Sequence, residues 1–245
     1  FLTCRLKFFF HYVEGIRKPT SPNLHLGKVV HEGLQYFHKA KWRNGDTSKE
    51  AVLEYYNDQF VEMQINDPVT FKTAEDEAKS LATGERVLTA YLDSDYAKDL
   101  KTPVGVETRL EVNNDLLPMK LLGFVDLVKE GNIPVDFKTS AATPNLVNQT
   151  WAHELQIVAY QIMIEEATGE TPDGAELVWL VKTKTPKVVP LTLPKASQIQ
   201  KDRFYYLANQ YAIGIARKNY YPSVGPSCDW CSFRQECSQW KGGEQ

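Results

Sequence analysis

The chain has no long run of apolar residues, so no segment of the sequence is able to span a membrane as a helix. It has no excess of basic residues either: 28 Lys and Arg stand against 31 Asp and Glu, giving a net charge of −3. This balance excludes the globally basic surface of many nucleic-acid-binding proteins, so such a partner would have to meet local patches. The candidate patches are residues 39–43 and 182–187, and an ordinary solvated face would have the same composition.

Cysteine is scarce, and three of the four cysteines lie close together near the end, as Cys228, Cys231 and Cys237 in the spacing C-x2-C-x5-C. Cys4 is the fourth. Four cysteines would suit disulfides in a secreted protein, but no secretory feature is visible, and C-x-x-C in an intracellular chain favours metal or redox chemistry. Structural zinc sites usually combine two C-x-x-C pairs or use histidines, and four cysteine thiolates can also hold an iron–sulfur cluster. The spacing alone leaves zinc and an iron–sulfur cluster open.

The remaining composition is that of a globular protein, with 42% hydrophobic and 24% charged residues. A chain of 245 residues suffices for one large domain, or for a core with an elaboration. The first residue is Phe1 rather than Met, which predicts that the natural chain begins further upstream.

Residues 123–139, GFVDLVKEGNIPVDFKT, predict two strands joined by a tight turn at Gly131. If the hairpin centres there, Asp126 lies opposite Asp136, and Lys138 points to the same face as Asp136. Facing carboxylates repel unless one is protonated, a cation neutralises them or water solvates both, and a divalent cation with oxygen ligands suits such a pair. The alternative is an exposed hairpin with ordinary surface charges.

Residue periodicity predicts the elements around this hairpin. Helices are expected from about residue 26 to 37 and over 48–65, 73–95, 151–168 and 197–218, and strands over 104–112, 176–183 and 188–193. The nearly continuous apolar run 176–183 predicts a strand covered on both faces, and Pro190 favours an edge position for the last strand. Thr47 with Glu50 predicts an N-terminal capping box.

Four polar side chains stand out on these elements. His31 and His38 share a helix face, and we expect His38 to be solvated because it is nearer the polar end. Gln156 and Tyr160 are four residues apart and share a face of their helix. Near the start, the aromatic cluster of Phe8, Phe9, Phe10 and Tyr12 is expected to be buried.

Taken in order, these features resemble the PD-(D/E)xK nuclease superfamily. Within it they resemble the RecB-like branch with a 4Fe–4S cluster, which includes the CRISPR-associated adaptation exonucleases and the AddB nuclease domain. The matching features are a leading Cys, L-G-x-x-V-H-E, G-x-x-D, V-D-F-K-T, Q-x-x-x-Y and C-x-x-C-x5-C. Each is weak alone, but the six in this order, from Cys4 to Cys237, are specific.

The resemblance implies an α/β fold with a restriction-endonuclease-like core, in which helices flank a central mixed sheet. It further implies a single RecB-like nuclease domain over residues 1–245, with a helical elaboration at about 45–100. An iron–sulfur tail at about 222–240 would hold a cluster that joins the N- and C-terminal segments.

The resemblance also implies the functional residues. The metal ligands would be His31, Asp126, Asp136 and the carbonyl of Phe137, with Lys138 as the catalytic lysine. Gln156 and Tyr160 would support the site or the DNA. Glu107, in the alternating strand 104–112, is either an exposed strand residue or a further carboxylate that supports the site. The cluster ligands would be Cys4, Cys228, Cys231 and Cys237.

The implied activity is that of a Mg²⁺- or Mn²⁺-dependent deoxyribonuclease, more an exonuclease on single-stranded DNA or DNA ends than an endonuclease. The context would be recombination, repair or CRISPR adaptation, in the cytoplasm of a bacterium, an archaeon or a phage host, with no membrane partner. CRISPR adaptation proteins or a helicase are the expected protein partners. Two other hypotheses stay open: a non-catalytic DNA-binding partner module with this fold, and a zinc-stapled scaffold with no role on DNA.

Overall fold

The computed structural model describes residues 3–242. The described chain divides into two compact units: a larger one of Pro19–Val112 and Leu121–Lys201, and a smaller one of residues 3–18, 113–120 and 202–242. Compact units of this kind occur within domains as well as between them, so the single nuclease domain over residues 1–245 stays a prediction. Between residues 3 and 242, no helix is both long enough and apolar enough to cross a membrane.

One mixed sheet forms the centre of the larger unit. Within the described residues it has five strands in the order β1-β2-β3-β4-β5: Gly105–Val112, Leu121–Lys129, Ile133–Ser140, Ala175–Val181 and Lys187–Leu193. Strands β3 and β4 are parallel, and all other neighbours are antiparallel. Every residue of β4 is buried, and Pro190 lies on the edge strand β5, so both strand predictions are confirmed. The predicted α/β class and the central hairpin are confirmed as well.

The helices follow the predicted positions closely. In chain order they are α1 Arg5–Phe8, a π-helical turn Phe9–Val13, α2 Pro22–Arg43, α3 Lys49–Asn66, α4 Ala74–Leu92, α5 Asp95–Asp99, α6 Leu146–Ala152, α7 Glu154–Thr168, α8 Gln198–Ala216, a 3₁₀ turn Pro226–Trp230 and α9 Arg234–Gln239. The single helix expected over 151–168 is broken, because His153 leaves the helical conformation with ψ near 4° and separates α6 from α7. The cap of α3 is Ser48, whose hydroxyl accepts the Ala51 N–H, and not Thr47.

Helices cover the sheet of the larger unit on both faces. Helices α2, α3 and α4 supply most of one apolar cluster, to which Leu127, Phe137 and Leu180 of the sheet also belong. Helix α7 covers the opposite face, with Ile157 against the residues of β4 that point the other way. Gly33 allows the close approach of α4, since a Cβ there would lie 2.7 Å from a methyl group of Leu88.

The smaller unit brings the two chain ends together around its own apolar cluster. Phe9 and Phe10 are buried there with Tyr220 and Phe233. Tyr12 was expected in this cluster, but it is 69% exposed, so that prediction is wrong. The core of the cluster is filled by the other rings, and Tyr12 packs only against its outer side, 5.0 Å from the ring of Phe8.

Candidate active site

The hairpin of β2 and β3 has the register that the sequence predicted. The ladder runs from Lys129↔Ile133 to Leu127↔Val135, so the next position sets Asp126 against Asp136. The ladder stops there because Asp126 Oδ2 takes the place of a strand partner and accepts the backbone N–H of Phe137 at 2.8 Å. The two carboxylates therefore sit on neighbouring strands where the strands begin to part.

A chain of polar contacts holds Asp136 and Lys138 to helix α7. Gln156 donates to Asp136 Oδ1 (2.8 Å) and to the Tyr160 hydroxyl (2.9 Å), and its carbonyl oxygen accepts from Lys138 Nζ at 3.0 Å. Lys138 Nζ also lies 2.7 Å from Asp136 Oδ2. The predicted pairing of Gln156 with Tyr160 on one helix face is thus observed, and one amide orients both the acidic and the basic group.

The environment of Asp136 disfavours the charged form of its carboxyl group. Its residue is only 3% exposed, and its Oδ2 receives no hydrogen bond of good geometry from the described residues, although the Lys138 ammonium is close. Burial raises the pKa of Asp136, Lys138 opposes that rise, and the negative charge of Asp126 adds to it. A cation placed between the two carboxylates would remove this penalty.

His31 approaches the hairpin from helix α2. Its Nδ1 lies 3.5 Å from Asp126 Oδ2, and the two side chains are 31% and 17% exposed. Burial lowers the pKa of His31, but the hydrogen bond and charge of Asp126, with the charge of Asp136, outweigh burial and raise it. An imidazole beside two carboxylates is a set of ligands that suits Mn²⁺. Mg²⁺ binds less readily to such a set than to a site made only of oxygen ligands.

Glu107 joins this site through a distorted part of β1. The pairing of Val106 with Leu127 and of Thr108 with Val125 sets Glu107 opposite Asp126, yet the ladder skips this pair and Glu107 has φ +47°. A left-handed backbone is unusual for a glutamate and typical of functional sites. Glu107 lies beside His31 and Asp126, and burial followed by the charge of Asp126 raises its pKa. Sequence alternation made Glu107 a candidate, but it contained no sign of this backbone strain.

The opposite strand is distorted at the same level. Val125 packs against Ile164 of α7, whereas Leu127, two residues later, belongs to the cluster on the other face. Residues two apart in a regular strand share a face, so the alternation breaks at Asp126. This break explains how Asp126 contacts His31 of α2 while Asp136 contacts Gln156 of α7.

His38 was predicted to be solvated, and that prediction is wrong, because the residue is 1% exposed. Its ring stacks on Phe137 with centroids 5.7 Å apart, and its Nε2 lies 2.8 Å from the hydroxyl of buried Tyr91. Burial, with a smaller contribution from Lys41, lowers the pKa of His38 to about 3. His38 is therefore a neutral residue that packs against Phe137, which lies between Asp136 and Lys138 in β3.

The carboxylates and the imidazole of this site are groups that bind divalent cations, although protein hydrogen-bond partners now contact both carboxylates. From residue 3 to residue 242, no three His, Cys, Asp or Glu side chains form a ready-made metal-binding group. Asp126 is engaged by Phe137 N–H, and Asp136 by Gln156 and Lys138. The poorly satisfied Oδ2 of Asp136 and the mutual repulsion of the two carboxylates are the observations in favour of a cation here.

All four cysteines lie in the smaller unit, and their thiols are free. Cys4, Cys231 and Cys237 pack against its apolar cluster. Burial raises the pKa of Cys237, and the charges of Cys4, Cys231 and Cys228 raise it further. Cys4 Sγ also accepts the N–H of Ser223 at 3.4 Å. Four cysteines in one unit are the residue types that an iron–sulfur cluster needs, and equally those that zinc accepts.

Comparison with known proteins identifies the family of this chain. Residues 1–238 match the family model of the PD-(D/E)XK nuclease superfamily. The crystal structure of a provisionally named exonuclease from Eubacterium rectale is similar in fold, with a TM-score of 0.65 and 14% identity over 99% of this chain and 83% of that one. The structure of the protein SSO0001 aligns at a TM-score of 0.42 and 14% identity, over 94% and 91% of the two chains. No curated protein matches the sequence.

Proposed function

We propose, because this chain belongs to the PD-(D/E)XK nuclease superfamily, that it hydrolyses DNA phosphodiester bonds as an exonuclease acting on single strands or DNA ends. The observation that carries the proposal is the meeting of Asp126, Asp136 and Lys138 on one hairpin, with Gln156 bonded to two of them. Two acids that repel each other and a lysine fixed beside them suit a reaction in which negative charge builds on a phosphate.

His31, Asp126, Asp136 and the carbonyl of Phe137 are the groups that would hold Mn²⁺ or Mg²⁺. When bound, such an ion supplies charge neutralisation at the phosphate and a water of lowered pKa. The hydrogen bond from Phe137 N–H to Asp126 holds the backbone at Phe137, whose carbonyl is in the proposed ligand set. Glu107, opposite Asp126, is placed to adjust the charge of the same site.

Lys138 has the role of orienting the attacking water or stabilising the developing negative charge. Its Nζ is held between Asp136 and Gln156, which fixes the position of this hydrogen-bond donor. Gln156 and Tyr160 position the pair. Burial, and then the charge of Asp136, raises the pKa of Tyr160, so its hydroxyl remains protonated beside Gln156.

We assign the chain to the RecB-like branch with a 4Fe–4S cluster, ligated by Cys4, Cys228, Cys231 and Cys237. The free state of the cysteines and the packing of Cys4, Cys231 and Cys237 against one apolar cluster support this assignment over a disulfide pair. The cluster would fasten the two ends of the chain within the smaller unit. Recombination, repair or CRISPR adaptation is the corresponding context, with a helicase or an adaptation protein as partner.

Digestion of DNA labelled at one end tests the proposal. Linear single strands and duplexes labelled at the 5′ or the 3′ end, and a circular single strand as control, are incubated with Mn²⁺ and separately with EDTA. An exonuclease releases short labelled products from one end and leaves the circle intact. Cleavage of the circle would make the enzyme an endonuclease, and no Mn²⁺-dependent cleavage of any substrate would contradict the proposal.

A further inference from the structure

Helix α6, just before the helix that carries Gln156, has two unlike faces. Leu146, Gln149 and His153 are partly buried, and Leu146 packs against the apolar cluster of β4 and β5. On the other face Val147 is 72% and Trp151 is 70% exposed. These two residues are four apart and therefore adjacent on the helix surface. A helix that docks by one face while presenting an indole and an isopropyl group to water has an unpartnered surface.

The segment that carries this surface leads directly into α7, the helix that holds Gln156. His153 is both the last cap of α6 and the first cap of α7, and its backbone oxygen accepts the N–H of Ile157. One residue before Ile157 is Gln156, which contacts Lys138 directly. The exposed Trp151 thus lies five residues from a group that touches the catalytic lysine, on a segment anchored to it.

The charges around this segment would favour a polyanion. From residue 139 to residue 152 the sequence has no charged side chain, so no carboxylate on this stretch repels a phosphate. At its start, the oxygen of Ser140 accepts the N–H of Lys182, which brings Lys182 beside the end of β3. Lys182 Nζ contacts only a neutral partner among the bonds of the described residues, Asn23 Oδ1 at 3.2 Å. Burial lowers the pKa of Lys182, but among the described residues its Nζ has no acidic partner that a phosphate would have to displace.

We propose that the exposed face of α6, formed by Val147, Thr150 and Trp151, is a base-stacking surface that selects single-stranded DNA, with Lys182 receiving a phosphate of the same strand. This inference rests on the proposed nuclease function and names its substrate class. An indole stacks on any unpaired base, whereas the bases inside a duplex are already covered by their neighbours.

Binding of oligothymidine by metal-free protein tests this surface apart from catalysis. The probes are a strand of about 12 nucleotides, within the span of known single-strand sites, and a blunt duplex of equal length. Trp151→Ala is expected to weaken binding of the single strand about 5- to 150-fold, the equivalent of about 1–3 kcal/mol for one stacked base. Duplex affinity stays nearly constant, and Trp151→Phe keeps most of the single-strand affinity because a phenyl ring still stacks.

Three further readouts separate stacking from a structural effect. Trp42→Ala removes another exposed tryptophan, 43% exposed on α2, and leaves the affinity unchanged. Oligothymidine quenches the fluorescence of the parent, and Trp151→Phe removes most of the quenching. Lys182→Gln lowers the slope of log affinity against log salt by about 0.7, one phosphate contact on a single strand.

The outcomes distinguish the two proposals. If the parent cleaves no DNA with Mn²⁺, the nuclease function fails. If the parent cleaves single strands and Trp151→Ala raises KM with little change in kcat, the stacking surface is supported. Equal single-strand affinity of Trp151→Ala and the parent overturns it. So does a parent dimer that becomes monomeric in Trp151→Ala with DNA binding unchanged, because the face would then bind a second copy.

Discussion

His38→Gln should change how the stability of the protein depends on pH. The ring is 1% exposed between Phe137 and Tyr91, and burial lowers its pKa from 6.5 to about 3. The unfolded chain therefore takes up a proton below pH 6.5 that the folded chain takes up only near pH 3. The contribution of neutral His38 to the free energy of unfolding is complete above pH 6.5. It falls by about 1.4 kcal/mol for each pH unit below that value. Between pH 7 and pH 5 the loss is about 2 kcal/mol.

Urea unfolding of the parent and of His38→Gln at pH 7 and pH 5 measures this loss. Other titrating groups act in both proteins and cancel in the difference, so the variant gains about 2 kcal/mol relative to the parent on going to pH 5. Tyr91→Phe is the matched control: it removes the hydrogen bond but leaves the ring buried, so it keeps the pH dependence of the parent. If His38→Gln and the parent lose equal stability between pH 7 and pH 5, the ring is not held neutral and the argument is refuted.

Three further predictions follow from other parts of the molecule. Gly84→Ala places a Cβ 1.9 Å from the hydroxyl of fully buried Tyr56, so urea unfolding should show a loss of about 1–3 kcal/mol, and unchanged stability would contradict this packing. Cys231→Ser should remove bound iron and visible absorbance from anaerobically purified protein and lower its melting temperature; unchanged iron content would exclude the cluster. Lys138→Ala should lower kcat by about 10²–10³ while calorimetry shows Mn²⁺ affinity close to that of the parent, and an active variant would remove the lysine from the mechanism.

The sequence predicted best those features that depend on residues close together in the chain. The turn at Gly131 sets the register of the β2–β3 hairpin. The prediction that Asp126 and Asp136 occupy facing positions is therefore correct. The apolar run of β4 predicted its burial, because only a strand covered on both faces lacks polar alternation. The spacing of Gln156 and Tyr160 predicted their shared face, and their hydrogen bond confirms it.

The errors concern contacts between distant parts of the chain. The periodicity of α2 shows which face His38 occupies, but not that Tyr91 of α4 and Phe137 of β3 close over it. Tyr12 follows three phenylalanines, yet the cluster is filled by residues more than 200 positions away. The left-handed backbone of Glu107 arises from a distortion shared by β1 and β2, and a glutamate in an alternating pattern carries no signal of it.

Mn²⁺-dependent cleavage by Asp136→Asn tests the central claim most directly. The substitution neutralises one of the two carboxylates while keeping an oxygen that can accept the Gln156 amide, so the fold is preserved. End-labelled single-stranded DNA and Mn²⁺ titration calorimetry are applied to parent and variant side by side. The account predicts that the parent cleaves and binds Mn²⁺, whereas Asp136→Asn folds normally, shows no detectable cleavage and binds Mn²⁺ much more weakly. A variant that cleaves DNA or binds Mn²⁺ as the parent does would contradict a two-carboxylate metal site.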